Sequence, residues 1–338
     1  MLEIKGLTQI NAVSGNEEII RAVIKDMIKP YADEITVDTM GNIIALKKGA
    51  KSNGKKVVLS AHMDEVGFIV SEITDDGYVK FKSVGGIDER IMLAQSVVIG
   101  ADEVPGVIGI KAIHLQSPDE RQSVIKEKDM YIDIGAADAD EAKSKVKLGD
   151  YIAFNSDYRE TGGFIKAKAL DDRVGCALLC ELIKGKYQND IYFCFCVQEE
   201  VGCRGATIVS KRLGADVAIV LESTTASDVP GSGEHQYSSY LGGGPVVSVM
   251  DRGSYSDKGL NNFITAIAEE NAIKFQYKKS GFGGNDARAY QTSSLPCKTA
   301  VISLACRYIH SPVSCALRSD VELMLSLSEL VCKNIHKF

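Results

Sequence analysis

The chain has 338 residues, of which 45% are hydrophobic and 25% are charged, as is usual for a globular protein with one large domain or two. Its net charge is −6 and its basic residues are dispersed, which excludes nucleic acid as a partner. No stretch reaches the ~18 apolar residues of a membrane span and the amino terminus lacks a signal-peptide core, so we expect a soluble protein with no membrane partner.

Apolar runs alternate with helical patterns from residue 1 to about 66 and again from about 163 to the end. The predicted elements are, in chain order, a helix over 16–31 ended by Pro30, a strand over 55–61, a helix over 171–185 closed by Gly185, strands over 189–198, 215–222 and 298–305, and a terminal helix over 319–335 capped by Ser319. This alternation predicts an α/β fold with a mixed, largely parallel sheet between helices.

The middle of the chain, about 70–160, has a different pattern. Residues 74–78 (TDDGY) predict a hairpin turn, 106–113 and 129–136 predict short strands, and only 140–145 has a helical period. We interpret this region as a small β-rich domain inserted into the α/β domain, away from the strand ends that carry the candidate ligands.

The nine cysteines are an odd number. Five of them lie in apolar stretches without CxxC spacing, namely Cys176, Cys180, Cys194, Cys196 and Cys203. This pattern favours buried, reduced thiols over a disulfide framework and predicts a cytoplasmic protein.

His62 and Asp64 follow the predicted strand 55–61 and share one face of it, because side chains alternate along a strand. A carboxylate beside a histidine is a common way of orienting a metal-binding imidazole. The alternative interpretation is a surface ion pair at a strand end.

Further acid and imidazole groups follow the other predicted strands or open a helix: Asp171, Glu199, Glu200, Glu222 and His310. In an open α/β sheet, ligands bind beyond the carboxyl ends of the strands. Each residue also has an ordinary explanation: Asp171 as a helix N-cap, the glutamate pair as a solvated corner, and His310 as a surface or core histidine. An interpretation of the chain without a functional site requires all of these ordinary explanations to hold at once.

Two imidazoles, two terminal carboxylates and one shared carboxylate match the ligand count of two divalent ions ~3.5–4 Å apart. One member of the pair Glu199 and Glu200 is then left over and can act as a general base. The set therefore indicates a hydrolase.

Six ordered motifs span nearly the whole chain: AHMDEVG, KALDDRVG, VQEEVGCRGA, VLESTTASDVPG, SGFGGNDA and CRYIHSP. Together they resemble the M42 family of metallo-aminopeptidases, which includes glutamyl, deblocking and tetrahedral aminopeptidases. The resemblance implies that His62 and Glu222 hold one metal, Glu200 and His310 hold a second, Asp171 bridges them, Glu199 is the base, and Asp64 orients His62. Glu222 stands where the family often has aspartate, which puts the metal preference in question.

The resemblance also implies a zinc-peptidase-like catalytic domain over 1–69 and 161–338, with an oligomerisation domain over 70–160. The protein would bind two divalent ions per subunit, zinc first and cobalt or manganese as alternatives. It would release amino-terminal residues from short peptides and assemble from dimers into a homo-oligomer of twelve subunits.

Two other functions are weighed. A glycoside hydrolase needs two carboxylates but no histidines, and this chain has no tryptophan to stack on a sugar. A non-catalytic peptide-binding scaffold does not explain why every ligand and the base are present. Asp228 and Asp286 lie in turn-forming loops, where an aspartate either borders the site or only makes local hydrogen bonds.

Overall fold

The computed structural model describes residues 2–51, 54–279 and 281–338; Ser280, the first residue of the motif at 280–287, lies outside them. The strands are β1 (Glu34–Val37), β2 (Ile43–Lys47), β3 (Val57–His62), β4 (Gly67–Ile73), β5 (Val79–Val84), β6 (Ser96–Ile99), β7 (Val104–Gly109), β8 (Tyr131–Asp133), β9 (Tyr151–Phe154), β10 (Arg159–Thr161), β11 (Phe164–Ala167), β12 (Ile191–Cys196), β13 (Val217–Thr225), β14 (Val246–Val247), β15 (Gln276–Tyr277), β16 (Lys298–Cys306) and β17 (Ser314–Leu317). The helices are α1 (Ile4–Gln9), α2 (Glu18–Ile28), α3 (Pro118–Gln122), α4 (Ala139–Lys145), α5 (Leu170–Leu182), α6 (Arg204–Leu213), α7 (Lys258–Glu270), α8 (Ala287–Gln291) and α9 (Arg318–Asn334).

A large mixed sheet has the strand order β1-β2-β12-β3-β13-β16-β14-β15. Its central strands β12, β3, β13 and β16 are parallel to one another. The pairs β1–β2, β2–β12 and β14–β16 are antiparallel. The predicted mixed, largely parallel sheet is therefore confirmed.

Helices cover both faces of this sheet. Val57 and Leu59 of β3 pack in the core formed with α1, α2, α5, α7 and α9, whereas Val58 packs in the core formed with α6 and α8. Strands buried on both faces appear in a sequence as continuous apolar runs rather than as alternating ones. This explains why the central strands were predicted within a few residues of their observed positions.

The inserted region forms a closed barrel with the strand order β4-β5-β8-β7-β6-β9. Three phenylalanine rings meet in its core: the ring centroid of Phe68 lies 4.9 Å from that of Phe81 and 5.3 Å from that of Phe154. The hairpin turn predicted at 74–78 joins β4 to β5, where the backbone N–H of Thr74 donates to the carbonyl of Tyr78. The barrel-like insert is thus present in the fold.

The predicted cap of the last helix is wrong. Helix α9 begins at Arg318, and its N-cap residue Leu317 is the last residue of β17. The chain passes directly from strand to helix, so Ser319 already lies in the first turn of the helix. None of the helices in the described ranges is both long and apolar enough to cross a membrane.

Candidate metal centre and active site

The candidate ligands meet at the carboxyl edge of the central parallel strands. His62 ends β3 and is in register with Cys196, the last residue of β12, so the turn with Glu199 and Glu200 follows directly beside it. Ser60 pairs with Val220, which places Glu222 of β13 level with His62. Strand register therefore brings together side chains that are far apart along the chain.

One half of the cluster surrounds His62, which is 1% exposed. Its Nε2 lies 3.3 Å from Oδ1 of Asp171 and 3.4 Å from Oε1 of Glu222. Its Nδ1 lies 3.2 Å from the carbonyl oxygen of Asp64 and 3.4 Å from the Oδ1 atom of Asp64. The longer glutamate at 222 thus still reaches the imidazole.

The other half surrounds His310. Its Nε2 lies 3.2 Å from Oδ2 of Asp171 and 3.2 Å from Oε2 of Glu200. Its Nδ1 contacts the carbonyl oxygen of Gly86 at 2.9 Å. Gly86 follows β5 of the barrel, so the expectation that the inserted domain lies away from the ligand-bearing strand ends is wrong. The loop after β5 reaches back over the sheet edge.

Asp171 is shared by the two halves and is not the N-cap of its helix, which is Ala169. Asp171 and Asp172 have non-helical backbone angles, and the peptide bond between them is cis. Burial opposes ionisation of Asp171, but His310 and His62 outweigh it and hold the pKa of this carboxyl well below its usual range.

Asp64 is fully buried and lies behind His62. It accepts hydrogen bonds from Oγ of Ser14 at 2.7 Å and from the backbone N–H groups of Glu199 and Glu200 at 3.0 and 3.1 Å. Burial alone would raise the pKa of Asp64, but His62 and these donors lower it. Asp64 therefore orients the imidazole and the glutamate turn together.

The cluster contains hydrogen-bond acceptors to which no described residue donates. Oδ1 of Asp171 and Oε1 of Glu200 are buried and accept no hydrogen bond from the described residues. Burial raises the pKa values of Glu200 and Glu222 well above their usual range. Burial would lower the pKa of His310, but Glu200 and Asp171 raise it to about 10. Carboxylate oxygens and imidazole nitrogens with unused lone pairs fit divalent cations.

Glu199 stands apart from the two histidines and lines a cavity of about 340 Å³ over the cluster. Its Oε1 accepts a hydrogen bond from Sγ of Cys203 at 3.3 Å. Burial raises the pKa of Glu199, and the charges of Asp64 and Asp171 add to this increase. A larger cavity of about 490 Å³ lies at the opposite end of the sheet, where Val217 and Lys298 begin β13 and β16.

Several residues of the site were missed from the sequence. Asp172 accepts hydrogen bonds from the backbone N–H of His62 at 3.3 Å and of Gly175 at 3.0 Å, and Lys278 lines the cavity. The repeated aspartate at 171–172 was the available signal for Asp172. Ser14, Gly86 and Lys278 carried no signal, because their places depend on distant parts of the chain.

The two loop aspartates have different environments. Asp228 forms an ion pair with Arg307, with an N–O distance of 2.6 Å, and accepts the N–H of Leu241, which is a structural role. Asp286 is buried near Glu199 and Cys203.

Comparison with known proteins places the chain among aminopeptidases. The M42 glutamyl aminopeptidase family matches residues 41–327, and the chain belongs to this family. It is 31% identical over 340 residues to a lysyl aminopeptidase of Pyrococcus furiosus, covering 98% of this chain and 96% of that protein.

Solved structures agree with this membership. A TET aminopeptidase from a marine-sediment Thaumarchaeota archaeon has a TM-score of 0.94 at 35% identity, covering 98% of this chain and 95% of that one. The Pyrococcus horikoshii TET1 peptidase, which can assemble into a tetrahedron or a large octahedral shell, has a TM-score of 0.86 at 34% identity, covering 97% and 98%. A Thermotoga maritima protein named an endoglucanase has a TM-score of 0.83 at 37% identity, covering 99% and 97%.

Proposed function

We propose that this M42 family member is a dinuclear metallo-aminopeptidase that releases residues from the amino terminus of short peptides. The observation that carries the proposal is the division of Asp171 between two imidazole–carboxylate pairs. Its Oδ1 faces the pair of His62 and Glu222, and its Oδ2 faces the pair of His310 and Glu200.

Each pair would hold one divalent ion, and Asp171 would bridge the two. Zinc is the first candidate, with cobalt and manganese as alternatives, because imidazole and carboxylate ligands accept all three. When bound, such a pair acts as a Lewis acid toward the peptide carbonyl and lowers the pKa of a bound water to ~7. Asp64 would keep His62 in the orientation that presents Nε2 to the cation.

Glu199 would serve as the general base. It lines the cavity, whereas its neighbour Glu200 points to His310. Its pKa is raised by burial, which suits a group that takes a proton from water and passes it to the leaving amine. Carboxylates at the cavity floor also suit the free amine of a peptide's first residue, since amine N–H groups are donors. An internal peptide bond offers no such group, so we expect exopeptidase action.

The inserted barrel is the proposed site of assembly. We propose residues 1–69 and 161–338 as the catalytic domain and 70–160 as the domain that joins subunits. Large apolar side chains are exposed on one segment of this domain: Val107 (50%), Ile113 (70%), Leu115 (61%) and Val124 (49%). These four residues are close together along the chain, and exposed apolar patches are typical of interaction surfaces. The TET1 shells described above support a homo-oligomer, which we propose to contain twelve subunits built from dimers.

The proposed location is the cytoplasm. All nine cysteines are free thiols and eight of them are buried, as in proteins kept in a reducing compartment. A closed shell in that compartment would admit short peptides and spare folded proteins.

A panel of aminoacyl reporters tests the proposed function. We expect release of the first residue, loss of activity after chelation, and recovery on adding Zn²⁺, Co²⁺ or Mn²⁺. An N-acetylated reporter is the matched control and should resist cleavage. Cleavage of β-glucan oligosaccharides in place of peptides would favour the glycoside hydrolase, the name carried by the Thermotoga relative, and inactivity on both would favour a scaffold.

A further inference from the structure

A second group of ligand-type side chains lies beside the proposed base. Glu199, Cys203 and Asp286 each place one ligand atom within 4.8 Å of the other two. Cys203 and Asp286 are 6% and 1% exposed, and Glu199 lines the cavity. Neither Cys203 nor Asp286 belongs to the five residues assigned to the metal pair.

No cation pairs with the Asp286 carboxylate within the described residues. Asp286 precedes α8 as the N-cap residue, a position where aspartate normally accepts an N–H of its own helix, but its side chain makes no such bond. Oδ1 of Asn285 instead accepts the N–H of Ala287 at 2.9 Å. Both carboxylate oxygens of Asp286 are buried and accept no hydrogen bond within the described parts of the chain.

An isolated buried carboxylate is costly unless a proton or a cation compensates it. Burial and the nearby charge of Glu199 raise the pKa of Asp286 to about 8, although His62 and the neighbouring thiol of Cys196 oppose this increase. The thiol of Cys203 does not compensate Asp286, because it donates to Glu199. Two carboxylates and one sulfur atom therefore face each other with a single hydrogen bond among them.

We propose that Glu199, Cys203 and Asp286 form a third cation site, selective for thiophilic divalent ions such as Cd²⁺ and excess Zn²⁺. Sulfur ligands favour these ions over Mn²⁺ or Mg²⁺. On binding, the Cys203 S–H proton leaves to solvent, and a sulfur–metal bond replaces the hydrogen bond to Glu199. The proposed metal pair has only nitrogen and oxygen ligands, so the sulfur distinguishes the two sites.

The site has a regulatory consequence, which rests on the proposed function. A cation held by the Glu199 carboxylate withdraws that group from proton transfer. Zinc would then activate the enzyme at low concentration through the pair and inhibit it at higher concentration through the third site.

Cadmium titration of the zinc-loaded protein tests the binding. The readouts are the ultraviolet charge-transfer band of a cadmium thiolate and the bound cadmium measured by mass spectrometry. We expect the band in the wild type and in the control Cys297→Ser, which removes a partly exposed thiol elsewhere. We expect the band to be lost in Cys203→Ser and to appear only at higher cadmium concentration in Asp286→Asn. The second variant provides an independent test if Cys203→Ser does not fold.

A band that persists unchanged in Cys203→Ser, or its absence from the wild type, would overturn the proposed site. In parallel, excess zinc should inhibit the wild type and Cys297→Ser more strongly than Cys203→Ser, each relative to its own activity at low zinc. Equal inhibition of all variants would overturn the regulatory consequence. If no variant cleaves peptides, the proposed function fails, and the cadmium band still decides the site.

Discussion

Nε2 of His310 lies 3.2 Å from Oδ2 of Asp171, although the two residues are 139 positions apart in the chain. The other oxygen of Asp171 faces His62 at 3.3 Å. One carboxylate thus connects the two imidazole–carboxylate pairs, and removing it should affect both.

Asp171→Ala should abolish binding of both ions, whereas His310→Ala should mainly weaken one site. The physical reason is that Asp171 is the only proposed ligand common to the two. Metal analysis of the purified variants provides the measurement. Asp228→Ala is a matched control, because its carboxylate is paired with Arg307. Two full equivalents of metal retained in Asp171→Ala would remove this residue from the bridging role.

Glu199→Gln should keep both ions and reduce kcat by ~10²- to 10⁴-fold, the usual cost of losing a general base. Glu200→Gln should instead lose metal, because Oε2 of Glu200 faces His310. Steady-state kinetics combined with metal analysis separates the two effects. The reverse pattern would show that the roles of these neighbours are exchanged.

Lys278→Met should reduce kcat/KM for glutamyl and aspartyl reporters by about 10- to 100-fold, which corresponds to the loss of one hydrogen bond to a charged group. The kcat/KM for leucyl reporters should change much less. Lys278 is the one lysine lining the cavity among the described residues, and it makes no ion pair there, although Asp251, Glu222 and Asp171 attract it. It can therefore pair with an acidic first side chain.

The control for this variant is Lys279→Met, whose side chain lines a different cavity. A wild-type enzyme that cleaves peptides but does not favour acidic first residues would contradict the assignment of Lys278.

Leu115→Asp should dissociate the assembly into smaller species by placing a charge on the exposed apolar segment of the inserted domain. Light scattering coupled to size exclusion measures the particle, for which we expect twelve subunits in the wild type. Leu295→Asp is the control. Leu295 lies in the proposed catalytic domain and is exposed to a similar extent (57%, against 61% for Leu115), so this variant should leave the assembly intact.

Chelation should also reduce the wild-type particle to dimers. The carbonyl of Gly86, in the loop after β5, contacts the proposed ligand His310, so loss of the cation loosens the link between that loop and the site. A monomer both with and without metal, still active on short peptides, would refute the shell and leave the catalytic assignment intact.

The sequence by itself determined the central strands and the residues that follow them. Strands β3, β12, β13 and β16 are buried on both faces, so each appears as a continuous apolar run that can be recognised locally. In a parallel sheet the carboxyl ends of such strands share one edge. His62, Glu199, Glu200, Glu222 and His310 could therefore be placed at one site before any contact was known.

Only the tertiary structure decided how these side chains are paired. The division of Asp171 between His62 and His310, the approach of Gly86 to His310, and the ion pair of Asp228 with Arg307 all join residues far apart in the chain. The buried carboxylate of Asp286 was equally hidden, because a turn aspartate that caps its helix and one that does not have the same local sequence. Local patterns specify elements, whereas packing between distant segments specifies which polar groups remain without a partner.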